Sequence, residues 1–271
     1  MLKSGFAAAA AGAIAMPAAE AELAHPEPKK AGELKIVSAM GHDYRNETGV
    51  RPIVSRIKNA RTWYARHYGP ITPEFLSDTD LLMTYYASDS FEWSPTGVSD
   101  QAGSNRARLY NEDNIKAIRD NVVNRGMGWL AIHNTPWFVG DELNELLGAT
   151  CILHREIQPV VISRLNQNHP ITKGVEPFII NLEEQFGLHL YDPDDPNVEI
   201  LFHSHGVHDK RWTIQGISAT RGKGRIVTFT PGHYEWMWYN EACQEMIWRA
   251  AHWALKLPNE PFYGNYDNFI W

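Results

Sequence analysis

Short apolar runs separated by polar segments mark the first half of the chain. Three of them are bounded by Gly, Pro, Asn or Asp and are typical of buried strands: residues 34–40, 81–86 and 129–132. Between them, apolar side chains that recur every three or four residues predict helices. One helix is expected to begin near Pro52 and to stop at Gly69 and Pro70. Another carries Ile115, Ile118 and Val122 and ends at Gly126.

The second half of the chain is predicted to be mostly extended. Apolar segments without helical spacing predict strands at residues 157–163, 178–189, 198–203, 212–220 and 225–230. A short helix is expected at 141–147, and a strong amphipathic helix at 241–255. Strands that first alternate with helices and then follow one another predict an α/β fold, with a doubly wound parallel sheet and an antiparallel extension.

Composition narrows the class of protein. With 271 residues, 44% of them hydrophobic, the chain can bury the core of one large α/β domain. Lys and Arg number 25 against 32 Asp and Glu, and the net charge of −7 argues against a nucleic-acid partner. No apolar run approaches the ~20 residues of a membrane span, so no span is expected. Cys151 and Cys243 lie outside any CxxC pair, and we expect two free, buried thiols.

The two ends of the chain differ from its middle. Lys3, an Ala-rich apolar segment and the sequence Ala19-Glu20-Ala21 are typical of a signal peptide over residues 1–21. Export would make the protein periplasmic or secreted, whereas an uncleaved segment would leave it in the cytoplasm. The remaining chain is expected to consist of a linker at 22–33, a single domain at 34–257 and an aromatic C-terminal tail at 258–271. That tail could pack on the domain or on a second subunit, so a homodimer is one expectation.

Two histidines follow predicted strands. His133 comes directly after residues 129–132, where the turn sequence Asn-Thr-Pro ends the strand. His233 follows residues 225–230, and the preceding Gly232 would allow a ligand to approach the backbone closely. Open α/β sheets bind ligands at the carboxyl ends of their strands, so we expect both rings at one site. A core His with a single hydrogen-bond partner is the alternative for each.

Other polar clusters have two interpretations each. Glu183 and Glu184 follow an apolar run, and alternation along a strand predicts that one of them faces a site, unless both lie on a solvated edge. His203 and His205 would share one strand face at a spacing that can hold a metal, although a polar edge strand has the same pattern. The long polar segment 87–105 is typical of a lid. No G-x-S-x-G, P-loop or post-strand G-x-G-x-x-G motif is present, so hydrolase-type, phosphate-binding and dinucleotide-binding functions lack support.

Several of these segments together resemble a known family. The matching strings are GMGWLAIHNT, ELLGATCILHRE, NHPITKGV, NLEEQFG and SATRGKGRIVTFTPGHYE. In this order and spacing, from about residue 80 to 255, they resemble the ThuA-like (trehalose utilisation) family. The resemblance implies a flavodoxin-like fold of the class I glutamine-amidotransferase group. It also implies a role in sugar catabolism, particularly of disaccharides or glycosides oxidised to 3-keto derivatives.

The resemblance also implies which residues form the site. Its catalytic candidates are His133, which stands where amidotransferases carry their nucleophilic Cys, together with Glu184 and His233. The candidates for substrate binding are His42, Asn134, Trp137, Gly232, Tyr234 and Trp236. After the second strand this chain has Tyr-Ala-Ser-Asp at residues 86–89, where relatives often have Trp-Gly-His. No site role is therefore carried over to that loop.

Two functions are compatible with this set, both with a small-molecule carbohydrate as partner. In the first, the two His and the Glu transfer protons next to the carbonyl of a keto-sugar, as in an isomerase, an epimerase or a cleaving enzyme. The same three groups could hold a divalent metal such as Zn or Mn that polarises the carbonyl. In the second, the protein binds sugar without catalysis, and Trp137, Trp236 and Trp238 stack on it. Glutaminase activity is not expected, because His133 replaces the Cys.

Overall fold

The computed structural model describes residues 29–40, 49–65, 71–85 and 112–262. Several predictions concern residues outside these ranges and stay predictions. They include the signal peptide, the substrate-binding role of His42, the lid at 87–105, the departure at 86–89 and most of the aromatic tail.

Eleven strands of the described residues form one sheet. They are β1 (Leu34–Met40), β2 (Ala60–Ala65), β3 (Leu81–Tyr85), β4 (Gly128–Ile132), β5 (Ala149–His154), β6 (Gln158–Ser163), β7 (Phe178–Glu183), β8 (Phe186–Leu190), β9 (Val198–Gly206), β10 (Trp212–Arg221) and β11 (Gly224–Phe229). Five parallel strands, in the order β2-β1-β3-β4-β11, make up one end of it. The strands β10, β9, β6 and β7 extend it antiparallel beyond β11.

This topology confirms the predicted fold class. The parallel order has the flavodoxin-like arrangement, in which β1 lies between β2 and β3 and the chain then winds outward to β4. Strands β3 and β4 are buried along their whole length, as expected for parallel strands covered on both faces. Strands β5 and β8 form an antiparallel pair. This pair joins the rest of the sheet where Leu188 in β8 pairs with Ile214 in β10.

Helices cover both faces of the sheet. They are α1 (Arg51–Val54), α2 (Pro73–Leu76), α3 (Glu112–Asp120), α4 (Thr135–Phe138), α5 (Asp141–Leu147), α6 (Glu235–Tyr239) and α7 (Glu241–Ala254). A π-helical turn, Asn121–Arg125, continues α3 and ends at Gly126, where φ is 95°. Successive strand residues point to opposite faces. Leu130 accordingly packs in a core with α7 residues, and Trp129 in a second core with α3 and α5 residues.

Several secondary-structure predictions were wrong or incomplete, and the short helices α2, α4 and α6 were not predicted. The helix expected from Pro52 to residue 69 ends at Val54, and Ala60–Ala65 pairs in parallel with β1 instead. The aromatic residues Trp63 and Tyr64 suit a strand, and pairing with β1 outweighs the helical spacing of the apolar positions. Strand β5 was not predicted. The extended segment 178–189 is two strands, and the break between them lies at Glu184 and Gln185.

Two further predictions can be compared with the structure. Cys151 and Cys243 are both free and buried, as expected. Across the described ranges, no helix combines the length and the apolar character that a membrane crossing requires.

Candidate active site

Two neighbouring parallel strands bring the two site histidines to one sheet edge. Ile132 ends β4 and lies beside Phe229, which ends β11. The His133 N–H then donates to the Phe229 carbonyl at 2.7 Å, which extends the pairing by one residue. His233 follows β11 after a short loop. The expectation that both histidines lie at the same edge is therefore met by the geometry.

His133 occupies a sharp turn between a strand and a helix. Its φ is +54°, a left-handed conformation that is uncommon for a residue other than Gly, and α4 begins two residues later. Strand–turn–helix geometry of this kind presents a nucleophile in α/β-hydrolases. Here the side chain it presents is an imidazole.

The His133 ring is held in a defined orientation. Its Nδ1 lies 2.9 Å from the Thr230 carbonyl oxygen, and the residue is only 1% exposed. Because a carbonyl can only accept, Nδ1 carries the proton, and in the neutral ring the lone pair lies on Nε2. Tyr85 stacks on the ring at 5.0 Å, and Phe186 meets it edge-on at 4.5 Å. An imidazole oriented by a backbone carbonyl in an apolar setting can act as a base or as a metal ligand.

Glu183 fixes the backbone of the loop that carries His233. Its carboxyl group is fully buried and accepts from the N–H groups of Gly232 and His233, each at 3.0 Å, and of Glu184 at 2.9 Å. Burial raises the pKa of Glu183 to about 8, although the three N–H donors act in the opposite direction. The Glu-Glu pair is visible in the sequence, but no sequence pattern predicts this role for Glu183.

Gly232 packs closely against side chains of the protein itself. A Cβ there would lie 3.1 Å from the His133 Cβ and 3.2 Å from the Tyr85 Cε2, closer than neighbouring atoms normally approach. The Gly232 N–H is already bound by Glu183. The absence of a side chain at Gly232 therefore lets the loop pack against His133. The close approach that was predicted for a ligand is made here by the side chains of His133 and Tyr85.

Glu184 lies beside both histidines. Its Oε2 is 3.2 Å from His233 Nδ1, a contact that becomes an ion pair when His233 is protonated. The rings of His133 and His233 are 5.3 Å apart at 71°. Ligand-type atoms of His133, Glu184 and His233 all lie within 4.8 Å of one another. The structure thus brings the three catalytic candidates together.

The candidates for substrate binding differ in how deeply they are buried and in what they contact. Asn134 is half-buried, and its Oδ1 is a buried acceptor without a partner among the described residues. The Tyr234 ring packs on His233 at 4.3 Å. Trp137 is half-buried in α4, and Trp236 is 53% exposed in α6. Trp238 contradicts the stacking role expected for it, because it is 1% exposed and its indole N–H points to the Gly232 carbonyl at 3.3 Å.

The pair His203 and His205 does not join the cluster. Both lie on β9, and the His205 ring packs on Trp212 with a centroid distance of 4.5 Å. Burial lowers the pKa of His203. Among the described residues, the group of His, Cys, Asp or Glu side chains that could hold an ion is the one at His133. The β9 pair therefore belongs to no such group of three, and β9 lies between β10 and β6, so it is not the polar edge strand of the alternative either.

Comparisons with known proteins identify the family and agree with the fold. Residues 70–254 match the family described as ThuA, trehalose utilisation. A ThuA-like protein from Bacteroides uniformis ATCC 8492 shares 14% identity at a TM-score of 0.56, over 84% of this chain and 91% of that one. A search of the curated proteins found no match.

Two further solved structures share the fold at lower identity. A glutamine amidotransferase from Thermotoga maritima has 11% identity and a TM-score of 0.51, covering 83% of this chain and 99% of that one. The carbohydrate deacetylase Agd3 has 8% identity and a TM-score of 0.53, covering 83% of this chain and 32% of that one. At these identities the likeness shows the α/β fold of the glutamine-amidotransferase type.

Proposed function

The chain belongs to the ThuA (trehalose utilisation) family, and from this premise we propose that it is an enzyme acting on keto-sugars or 3-keto-glycosides. Membership implies a carbohydrate-related function. The observation that carries the finer proposal is the convergence of His133, Glu184 and His233 within 4.8 Å at the carboxyl edge of the parallel strands. Two imidazoles and a carboxylate can move protons near neutral pH, which is what chemistry next to a carbonyl requires.

The geometry suggests a role for each group in the first step. His133, with its proton on Nδ1, offers the Nε2 lone pair as the base that removes a proton from the carbon next to the carbonyl. His233, protonated beside Glu184, donates a proton to the carbonyl oxygen, and the product of this step is an enediol. Return of a proton to either carbon then completes an isomerisation or an epimerisation. In cleavage the enediol O–H instead loses its proton as the carbonyl reforms, the bond from the neighbouring carbon to the glycosidic oxygen breaks, and that oxygen leaves as an alcohol after taking up a proton.

The same residues fit a divalent metal ion such as Zn or Mn. Two imidazoles and a carboxylate are a common ligand set, and a ligating His usually donates its other N–H to a carbonyl, as His133 does to Thr230. Neighbouring ligands at about 2.1 Å from an ion lie about 3 Å apart, close to the 3.2 Å between Glu184 and His233. When bound, the ion would polarise the sugar carbonyl.

Exchange of solvent deuterium into a 3-keto-glucoside tests the proposed enzyme. We expect the purified protein in D₂O to label the carbon next to the carbonyl faster than a blank, as followed by NMR, and the His133→Ala protein to match the blank. Labelling no faster than the blank with wild-type protein would support the alternative, a non-catalytic carbohydrate-binding protein. The exposed Trp236, three residues after His233, and the half-buried Trp137, whose ring lies 6.1 Å from that of Phe186, are the observations that keep this alternative.

Elemental analysis tests the metal. We expect about one divalent ion per chain, lost in His233→Ala and retained in His203→Ala, which removes a histidine from the separate β9 pair. Equal metal content in the two variants would place any bound ion elsewhere.

A further inference from the structure

The antiparallel extension carries a group of polar side chains that is separate from the candidate active site. His203 and His205 are two residues apart on β9, so their rings share one face of the sheet. Trp212 on β10 lies directly opposite His205, and Ser163 at the end of β6 lies directly opposite His203. Arg164 follows Ser163, and its guanidinium lies 3.9 Å from the centroid of the Trp212 ring. Three neighbouring strands therefore contribute to one surface.

The side chain of Arg164 crosses the middle strand of these three. Neighbouring strands lie about 4.8 Å apart, so β6 and β10 are about 10 Å apart with β9 between them. Arg164 begins at the end of β6, yet its guanidinium stacks on a ring of β10. Its φ of 50° is left-handed, which is uncommon for a residue other than Gly. The guanidinium thus lies over the face of β9 that carries both histidines.

The hydrogen-bonding groups of these side chains have no partner within the protein. Across the described residues, Arg164, His203 and His205 form no hydrogen bond and no ion pair. Both Nδ1 atoms are buried, so the Nε2 atoms are the ones through which the half-buried rings reach the surface. Arg164 is exposed, and a guanidinium that stacks on an aromatic ring keeps the N–H groups at its edge available to a ligand.

The charges around this group favour an anion. Burial and the positive charge of Arg164 lower the pKa of His203, and no carboxylate of the described chain lies close enough to raise it. The turn between β9 and β10 adds Lys210 and Arg211, and its one acidic residue, Asp209, is already in an ion pair. The same positive charges disfavour a divalent metal ion at the two imidazoles.

We propose that Arg164, His203 and His205 form a second binding site, which takes a phosphate group. A guanidinium binds two phosphate oxygens side by side, and each imidazole can donate from Nε2 to an oxygen. The two oxygens of a carboxylate would be satisfied by the guanidinium alone, whereas a phosphate group offers acceptors to all three side chains. Because the donors are side chains from β6 and β9, the site does not need the P-loop that the sequence lacks.

Isothermal titration calorimetry with glucose 6-phosphate and with inorganic phosphate tests this site. At neutral pH and low salt, we expect one bound phosphate group per wild-type chain. Arg164→Ala should weaken binding about tenfold or more, because it removes a charge-assisted pair of hydrogen bonds. Arg164→Lys, which keeps the charge without the planar fork, should have an intermediate affinity and guards against a variant that fails to fold.

Arg119→Ala is the matched control for charge. It removes an exposed arginine from α3 and lowers the net charge by the same amount, so the affinity should stay at its wild-type value. An equal loss of affinity in Arg119→Ala and Arg164→Ala would overturn the site, because it would reflect only the overall charge of the protein. Absence of binding by the wild-type protein would overturn it as well, and Arg164 would then only pack on Trp212.

The choice of probe identifies the ligand. Equal affinity for the two probes would assign the site to the phosphate group alone, and tighter binding of glucose 6-phosphate would assign it to a sugar phosphate. Glucuronate, which carries a carboxylate, should bind more weakly than glucose 6-phosphate, and equal binding would overturn the assignment to phosphate. The site does not depend on the proposed reaction at His133, so deuterium exchange and phosphate binding can each fail without the other.

Discussion

Glu183 should make the free energy of unfolding depend on pH, and the substitution Glu183→Gln should remove that dependence. In the folded chain its pKa is raised from 4.5 to about 8 by complete burial. Between these values the folded protein keeps a proton that the unfolded chain has lost. The stabilising contribution is thus fully present below pH 4.5 and is lost as the pH rises through 8. The free energy of unfolding should fall by about 1.4 kcal/mol per pH unit over this interval, or about 5 kcal/mol in total.

Glu183→Gln tests this linkage because the amide cannot ionise. We expect a fixed loss of about 1–3 kcal/mol, since the amide nitrogen faces an N–H donor that the carboxyl group accepted. Urea unfolding of both proteins, at intervals from pH 5 to 8.5, gives the difference in unfolding free energy. As the pH rises from 5 to 8, the variant should become more stable relative to the wild-type protein by about 1.4 kcal/mol per pH unit. Glu176→Gln, at an exposed glutamate, should give a difference that does not change with pH.

Titrating groups that do not interact with Glu183 do not disturb this comparison. Burial lowers the pKa of His169 and His203, and hydrogen bonds and ion pairs lower those of Asp78, Asp195 and Asp209. All of them are present in both proteins and cancel in the difference. A difference that stays constant across the range would refute the reasoning. It would mean that Glu183 is ionised throughout, because its three N–H donors outweigh the cost of burial.

Three further predictions concern the site and the ends of the chain. Single replacement of His133, Glu184 or His233 should abolish deuterium exchange and leave the fold intact. A double replacement should lower the exchange rate little further, because the three groups act together. Additive losses of rate would contradict a shared site. Glutamine should release no ammonia, and an activity that vanished in Cys151→Ala would overturn this expectation. Protein recovered from the native cell should lack residues 1–21, and an intact mass that includes them in a cytosolic fraction would reject export.

The elements that sequence analysis predicted correctly are those with local signals. Strands β1, β3 and β4 are short apolar runs ended by turn residues, and α7 has a continuous apolar stripe. Since His133 directly follows β4 and His233 lies four residues after the end of β11, their position at one sheet edge could be inferred from the same signals. The break within residues 178–189 gave no such signal, because Glu184 and Gln185, which form it, are not among the residue types that usually mark a turn.

The parts that could not be predicted depend on contacts between distant segments. Strand β2 exists because it pairs with β1, and its apolar spacing alone favoured a helix. His154 lies opposite Phe186 through pairing of β5 with β8, more than thirty positions further along the chain. Glu183 bonds to backbone N–H groups of Gly232 and His233, about fifty residues away in sequence. No periodicity in one sequence encodes such pairings.

The adjacent carboxyl groups of Glu183 and Glu184 have different surroundings because β7 ends between them. Glu183 is the last residue of that strand and turns into the protein, where it binds the loop backbone. Glu184 lies beyond the strand and turns toward the imidazoles. A buried carboxyl group with a raised pKa is costly to ionise, so Glu183 suits a structural role near neutral pH, while its half-buried neighbour lies 3.2 Å from His233 Nδ1. One strand end therefore supplies both the support of the His233 loop and the acidic group of the candidate site.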